Sequence, residues 1–126
     1  MEITLNHTIV NSKNNVESAK FYEYIFGFEF LKEWGHFAVV KVNSTLTLDF
    51  LTKERFSVQH YAFKVSEDDF DTILNRVKEE NLPYGSDPYN RENKLINYNY
   101  NGRGVYFPDP NGHILEILTA DYNIEE

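Results

Sequence analysis

The sequence predicts an α+β fold, a single domain over 1–126 made of two βαβββ modules. Strand-like and helix-like patterns run in the order β-α-β-β-β and then repeat, with a weaker second strand. His7 and His60 lie 53 residues apart, each in an apolar strand and each followed by a helical pattern. The last strands overlay too: "LDFLT" at 48–52 lies over "LEILT" at 115–119, which sets Asp49 opposite Glu116. The same element order carried through twice, with the histidines 53 residues apart and the last strands 67, is the mark of an internal duplication. Module one is expected over about 1–54 and module two over about 55–126.

Each element has a local reason. "EITLNHTIV" (2–10) is rich in β-branched residues and reads as a strand. "VESAKFYEYIFG" (16–27) places Val16, Ala19, Tyr22 and Phe26 near helical spacing, and Gly27 suits a left-handed C-cap. "FEFLKEW" (28–34), "FAVVKV" (37–42) and "TLTLDFL" (45–51) are strand-like, punctuated by Gly35 and "NS" at 43–44. "FSVQHYAFKV" (56–65) opens the second module as a strand. Ser66 with Asp69 fits a capping box, followed by the apolar stripe Phe70, Ile73, Leu74, Val77, with Pro83 closing the helix. Residues 83–103 read as a strand fragment within a long loop rich in Asn, Tyr, Pro and Gly. "GVYFPD" (104–109) and "HILEILT" (113–119) are the last strands, joined by "DPNG".

Bulk properties exclude several functions. With 41% hydrophobic residues the chain is globular, and no apolar run reaches membrane-spanning length. The N-terminal stretch lacks the basic-then-apolar pattern of a secretory signal, so a cytoplasmic location is expected. A net charge of −8 without a basic stripe argues against nucleic acid and anionic membrane surfaces as partners. The absence of cysteine removes disulfides, thiolate metal sites and a thiol nucleophile.

Glu116 stands alone among aliphatics in "ILEIL", and a buried carboxylate is costly unless it is paired or binds a metal. Side chains on a strand alternate faces, so Leu5, His7 and Ile9 share one face. So do His60, Ala62 and Lys64, and so do Ile114, Glu116 and Leu118. If those faces meet, His7, His60 and Glu116 form a two-His, one-carboxylate set, which holds a divalent metal and leaves coordination positions open. His113 has the opposite parity to Glu116 and is expected to cap the "DPNG" turn instead.

These same stretches carry a resemblance. "LNHTIV", "FYEYIFGFEF", "QHYAFKV" and above all "GRGVYFPDPNGHILEI" resemble the vicinal oxygen chelate superfamily: glyoxalase I, extradiol dioxygenases, fosfomycin-resistance enzymes and bleomycin-resistance proteins. The resemblance implies paired βαβββ modules forming a cupped mixed sheet around a metal held by His7, His60 and Glu116. It implies a divalent ion (Fe, Mn, Ni, Zn or Co) chelating vicinal oxygens of a small-molecule substrate, in a lyase, transferase or dioxygenase. Bleomycin-binding members, which sequester a drug without turnover, supply the alternative; they lack the triad that this chain keeps. Asp49 is the nearest candidate for a fourth ligand, and His36 is a loose match to a further catalytic His, more simply read as a turn residue. Tyr106 sits where the family often has an active-site Tyr, and Arg103, between two glycines, is a candidate to hold an anionic substrate. Lys64, on the His60 face, is a candidate for substrate contact or charge balance, and loop 84–102 for a lid. A chain with two such modules is expected to form a homodimer.

Overall fold

The computed structural model describes residues 1–124. The chain divides into two compact units, Met1–Ser57 and Val58–Glu126.

The first unit holds β1 (His7–Ser12), α1 (Asn15–Phe26), β2 (Glu29–Trp34), β3 (Phe37–Asn43) and β4 (Leu46–Thr52). Its four strands are ordered β1-β4-β3-β2, with β1 parallel to β4 and the other pairs antiparallel. Helix α1 starts where the Asn14 side chain accepts the Glu17 amide at 3.0 Å. It ends at Gly27, whose φ of 78° lets its amide close on the Glu23 carbonyl. The helix buries Ser18, Ala19, Tyr22 and Ile25, so its inward stripe is turned slightly from the expected one: Ile25 takes the core position and Phe26 is only half-buried. Phe26 instead stacks on Phe28 at 4.8 Å, across the helix end. Tyr22 meets Phe50 at 4.8 Å, among Val10, Ala38, Val40 and Leu48. Each such large side chain, fully buried, contributes roughly 1.5–3 kcal/mol.

The second unit holds β5 (His60–Lys64), α2 (Glu67–Glu79), β6 (Gly104–Pro108) and β7 (Ile114–Leu118), with a short 3₁₀ turn at Asn99–Asn101. Its strands are ordered β5-β7-β6, with β5 parallel to β7 and β6 antiparallel to it. The expected cap is present: the Ser66 hydroxyl accepts the Asp69 amide at 3.1 Å. Phe70, Ile73, Leu74 and Val77 are all buried, as are Val105, Phe107, Leu115 and Ile117.

The two units repeat one plan. In the first, His7 pairs with Thr47, two residues before Asp49; in the second, His60 pairs with Ile114, two residues before Glu116. The counterpart of β2 is reduced to a single bridge, Gly85 to Tyr106 on β6. Three expectations need correction. Residues 2–6 are not strand, because β1 begins at His7, and β5 begins at His60 rather than at residue 56. Helix α2 ends at Glu79, before Pro83, where Asn81 turns the chain with a φ of 54°. Side-chain bonds hold the 83–103 segment more than strand pairing does: Asp87 accepts the amides of Tyr89 and Asn90, and Asn93 caps Ser86 and Leu95.

Gly85 admits no side chain. An added Cβ would lie 2.0 Å from the Asn90 carbonyl oxygen and 2.5 Å from the Arg91 carbonyl carbon. Because the clash is with backbone, no rotamer relieves it. Gly85→Ala is expected to cost about 1–3 kcal/mol in chemical denaturation. An unchanged midpoint would show that the Gly85 bridge does not hold the segment.

Candidate functional site

In the second unit β7 is central, so Glu116 lies between Ala62 on β5 and Tyr106 on β6. Its side chain is 15% exposed, while that of His60 beside it is 48% exposed. His60 Nε2 stands 3.1 Å from Glu116 Oε1, and His60 Nδ1 stands 3.0 Å from the Ile114 carbonyl oxygen. A carbonyl can only accept, so Nδ1 carries the hydrogen and donates it. In the neutral ring Nε2 is then a bare lone pair facing a carboxylate oxygen. Two acceptors at that distance repel unless a proton or a metal cation lies between them.

Tyr106 supports the same carboxylate. Its ring lies 5.8 Å from the His60 ring, nearly parallel to it. Burial, the Glu116 charge and its hydrogen bond to Glu116 push the phenol up to about 12. It therefore stays protonated at neutral pH and donates to Glu116. Glu116, Tyr106, Arg103, Leu118 and Ala120 line a cavity of about 210 Å³, together with Asn97, Asn99, Tyr100 and Tyr122. These last four are cavity residues that motif reading did not single out. Asn97, Asn99 and Tyr100 fall in the "NYNYN" alternation of the 84–102 loop, which reads equally well as a surface loop, and Tyr122 carries no signal in the sequence.

Arg103 lines that cavity with its guanidinium already engaged. Nε donates to Glu67 Oε2 and Nη1 to Asp71 Oδ1, both at 2.7 Å, and Nη2 to the Glu67 carbonyl. The group also lies 4.4 Å over the Phe70 ring. Thr119 and then Arg103 hold the Glu67 carboxyl below its usual range, and Arg103 does the same for Asp71. Arg103 is thus a clamp between the start of β6 and the first turn of α2. Lys64 is likewise paired, to Asp121 at 3.1 Å.

In the first unit, His7 is exposed on the strand face that carries Ile9. Its Nδ1 lies 2.7 Å from the Asn6 side-chain oxygen, an acceptor, so Nδ1 holds the hydrogen and Nε2 is left as a lone pair. Asp49, central in β4, is 8% exposed and accepts the Thr47 hydroxyl at 3.0 Å. Its strand neighbours are Ile9 and Val39. His36 is in the β2–β3 turn, where its carbonyl accepts from the Asn15 side chain. His113 is fully buried; its Nδ1 accepts the Gln59 amide and its own amide donates to Asp109, so it fixes the turn before β7.

The structure therefore brings His60, Glu116 and Tyr106 together, with Arg103 at the same cavity. Among the described residues no group of three or more His, Asp and Glu side chains lies close enough to hold a metal ion. The donor chemistry nevertheless fits a divalent cation: imidazole nitrogen and carboxylate oxygen, with the ring's second nitrogen oriented by a backbone carbonyl.

A family model described as the Glyoxalase/Bleomycin resistance protein/Dioxygenase superfamily matches residues 4–117. The chain is similar to the solved structure of oxidase ChaP-H2, with 48% identity, a TM-score of 0.94 and 98% of each chain covered. It is similar to oxidase ChaP-H1 at 43% identity and a TM-score of 0.91, covering 97% of this chain and 99% of that one. Metallothiol transferase FosB of Lysinibacillus sphaericus (strain C3-41) is 26% identical over 123 residues, 93% of this chain and 82% of that protein.

The Tyr106 phenol is checked by absorbance titration. One tyrosine should titrate near pH 12, and Tyr106→Phe should remove that step. A phenol raised above its ordinary value of 10 favours the fold below pH 10 and loses that contribution as pH climbs to about 12. Glu116→Gln should lower the step without bringing it back to 10, because burial is the larger cause. A wild-type protein whose tyrosines all titrate near 10 would refute the Tyr106–Glu116 contact.

Proposed function

Because the chain belongs to the glyoxalase/bleomycin resistance protein/dioxygenase superfamily, a superfamily of metal-dependent enzymes acting on small molecules, we propose that it is a metal-dependent oxidase of a neutral, oxygenated small molecule. The observation that carries the metal is the His60–Glu116 pair, two acceptors 3.1 Å apart with the His60 hydrogen committed elsewhere. The proposed ligands are His60, Glu116 and His7, whose Nε2 is free in the same tautomer. This set suits Fe, Mn, Ni, Zn or Co, and oxidation by dioxygen favours the redox-active ions, Fe(II) first. When bound, the metal would act as a Lewis acid on adjacent oxygens of the substrate.

The chain's own residues set the rest. Tyr106 holds its proton and steadies Glu116. The aromatic and amide lining of the Glu116 cavity favours a flat, polar-edged substrate over a charged one. Arg103 and Lys64 are both already paired with carboxylates, so neither is a free cation for an anionic substrate. That favours the oxidase reading over thiol transfer of the FosB type. It also favours turnover over drug sequestration, because sequestration gives no reason to orient a ligand pair. No helix among the described residues is long and apolar enough to cross a membrane. The net charge of −8 without a basic stripe supports a reading with neither an anionic membrane surface nor nucleic acid as partner.

We further propose a homodimer, in which the module carrying His7 and the module carrying His60 and Glu116 pair either within one chain or by exchange between protomers. The support is the family, whose enzymes are commonly dimeric.

Activity is tested by oxygen uptake. The Fe(II)-loaded protein should consume dioxygen with a neutral catechol and none without metal. Formation of a thiol adduct on fosfomycin, with no oxygen uptake on any catechol, would replace the oxidase reading with thiol transfer.

Metal binding is tested by melting. A metal that binds only the folded state stabilises it by ~2.7 kcal/mol at a hundredfold excess over Kd. EDTA should lower Tm and Fe, Mn, Ni, Zn or Co should restore it. His7→Ala and Glu116→Gln should each abolish the response. A wild-type Tm indifferent to both EDTA and metals would remove the metal centre.

Exchange is tested by mixing His7→Ala with Glu116→Ala after unfolding and refolding. Heterodimers would carry one doubly damaged site and one intact site, so part of the metal binding should return. Heterodimers without recovery would place each site within one chain, and a monomer by light scattering would end the dimer proposal.

A further inference from the structure

A second cavity, of about 590 Å³, lies at the other end of the three-stranded sheet. The Glu116 cavity is at the Gly104–Leu118 end of the β6–β7 pair; this one is at the Pro108–Ile114 end, and the two share no lining residue. Its volume is within the usual range for small-molecule sites.

Its walls are stiff. Pro83, Pro88 and Pro108 line it with Phe107 and Ile114, and prolines have little backbone freedom to lose on binding. The loop that forms its other side is ordered before any ligand arrives. Asp87 accepts from the Tyr89 and Asn90 amides and from the Asn90 side chain, and Asn93 is tied to Ser86. Gly85 packs directly against the Asn90 and Arg91 backbone.

On this fixed loop three exposed side chains have no side-chain partner among the described residues. Tyr89 is 94% exposed, a large aromatic held in water with its amide anchored. Arg91 and Glu92 both line the cavity, and among the described residues neither makes a hydrogen bond or ion pair, with each other or with anything else. Asn90 and Asn93, by contrast, are spent on the loop itself. The cavity thus offers one free cation, one free carboxylate and a proline-lined apolar wall. A simple anion would answer Arg91 and be repelled by Glu92; a simple cation would do the reverse. A zwitterion answers both.

We propose that this cavity binds a free α-amino acid with an apolar, aromatic side chain. Its carboxylate meets Arg91, its ammonium meets Glu92, and its ring lies against the prolines and Tyr89. None of its lining residues is a proposed metal ligand; its one link to that site is Ile114, whose carbonyl orients His60.

The test is calorimetry on EDTA-treated protein with L-phenylalanine, phenylacetate and phenethylamine. L-Phenylalanine should bind saturably and at least about tenfold more tightly than either singly charged analogue, the scale of one charge-assisted hydrogen bond. Arg91→Gln should bring it down to the level of phenethylamine, and Glu92→Gln to the level of phenylacetate, both without a change in Tm. Glu116→Gln should leave the binding untouched. Absence of saturable binding, equal affinity for the three probes, or indifference to both loop substitutions would overturn the proposal. Because the metal is absent throughout, failure here leaves the oxidase reading standing, and failure of that reading leaves this one standing.

Discussion

The orientation of one imidazole organises the candidate site. The Ile114 carbonyl takes the Nδ1 hydrogen of His60, and that bond decides what Nε2 can be. Parallel pairing of β5 with β7 puts that carbonyl beside the ring, and the same register sets Glu116 two residues further along. Shifting β7 by one residue would turn Glu116 into the buried layer now filled by Leu115 and Ile117, and would present their apolar side chains to His60. The neighbouring Tyr106 then has its proton fixed by its surroundings, as it faces a carboxylate from a partly buried position. So the geometry of the His60–Glu116 pair follows from strand register.

The duplication shows what that register can and cannot determine. Both units place a histidine on the first strand and a carboxylate in the centre of the last, at the same offset. Their surroundings differ. Glu116 has Tyr106 and Ala62 as strand neighbours, leaving its oxygens open toward His60. Asp49 is one methylene shorter, lies between Ile9 and Val39, and is held by Thr47 of its own strand. The ring of His7 is bound to Asn6, not to a backbone carbonyl of the facing strand. The same arrangement is thus a histidine–carboxylate pair in one unit and two separately bonded side chains in the other.

This is also why the sequence was readable where it was. Strand order, the caps at Ser66 and Gly27, the α2 stripe and the positions of His60 and Glu116 are set by local periodicity and short side-chain bonds. Those signals sit within a few residues of what they determine. Residues 2–6 and 56–59 lie outside the strands because β-branched composition marks a preference, while pairing partners decide where a ladder ends. The 83–103 segment was opaque for a further reason. It is held by Asp87, Asn93 and Asn97 bonding to nearby backbone, and by Arg103 reaching α2 more than thirty residues back. No periodicity announces such bonds. The role of Arg103 shows the consequence: flanked by glycines it resembles a free substrate-binding cation, and only the fold reveals Glu67 and Asp71 beside it.

That clamp bears on the chemistry of the whole site. The chain carries a net charge of −8, so an unpaired guanidinium in the Glu116 cavity would be a strong beacon for anions. Pairing it with two carboxylates replaces that with a locally acidic cluster whose members stay ionised down to low pH, as Arg103 and Thr119 hold them below the usual range. Glu116 adds a further negative charge a short way along the same cavity. The field there favours a cation and disfavours an anionic substrate. A divalent ion at the proposed His60–Glu116 site would reverse the sign at one point only, where the oxygens of the proposed substrate would bind. Away from that point the lining is aromatic rings, amides and aliphatics. Recognition of the remainder of the proposed substrate would then rest on shape and neutral hydrogen bonds, which is the reason the proposal names a neutral molecule whose reactive end alone is electron-rich.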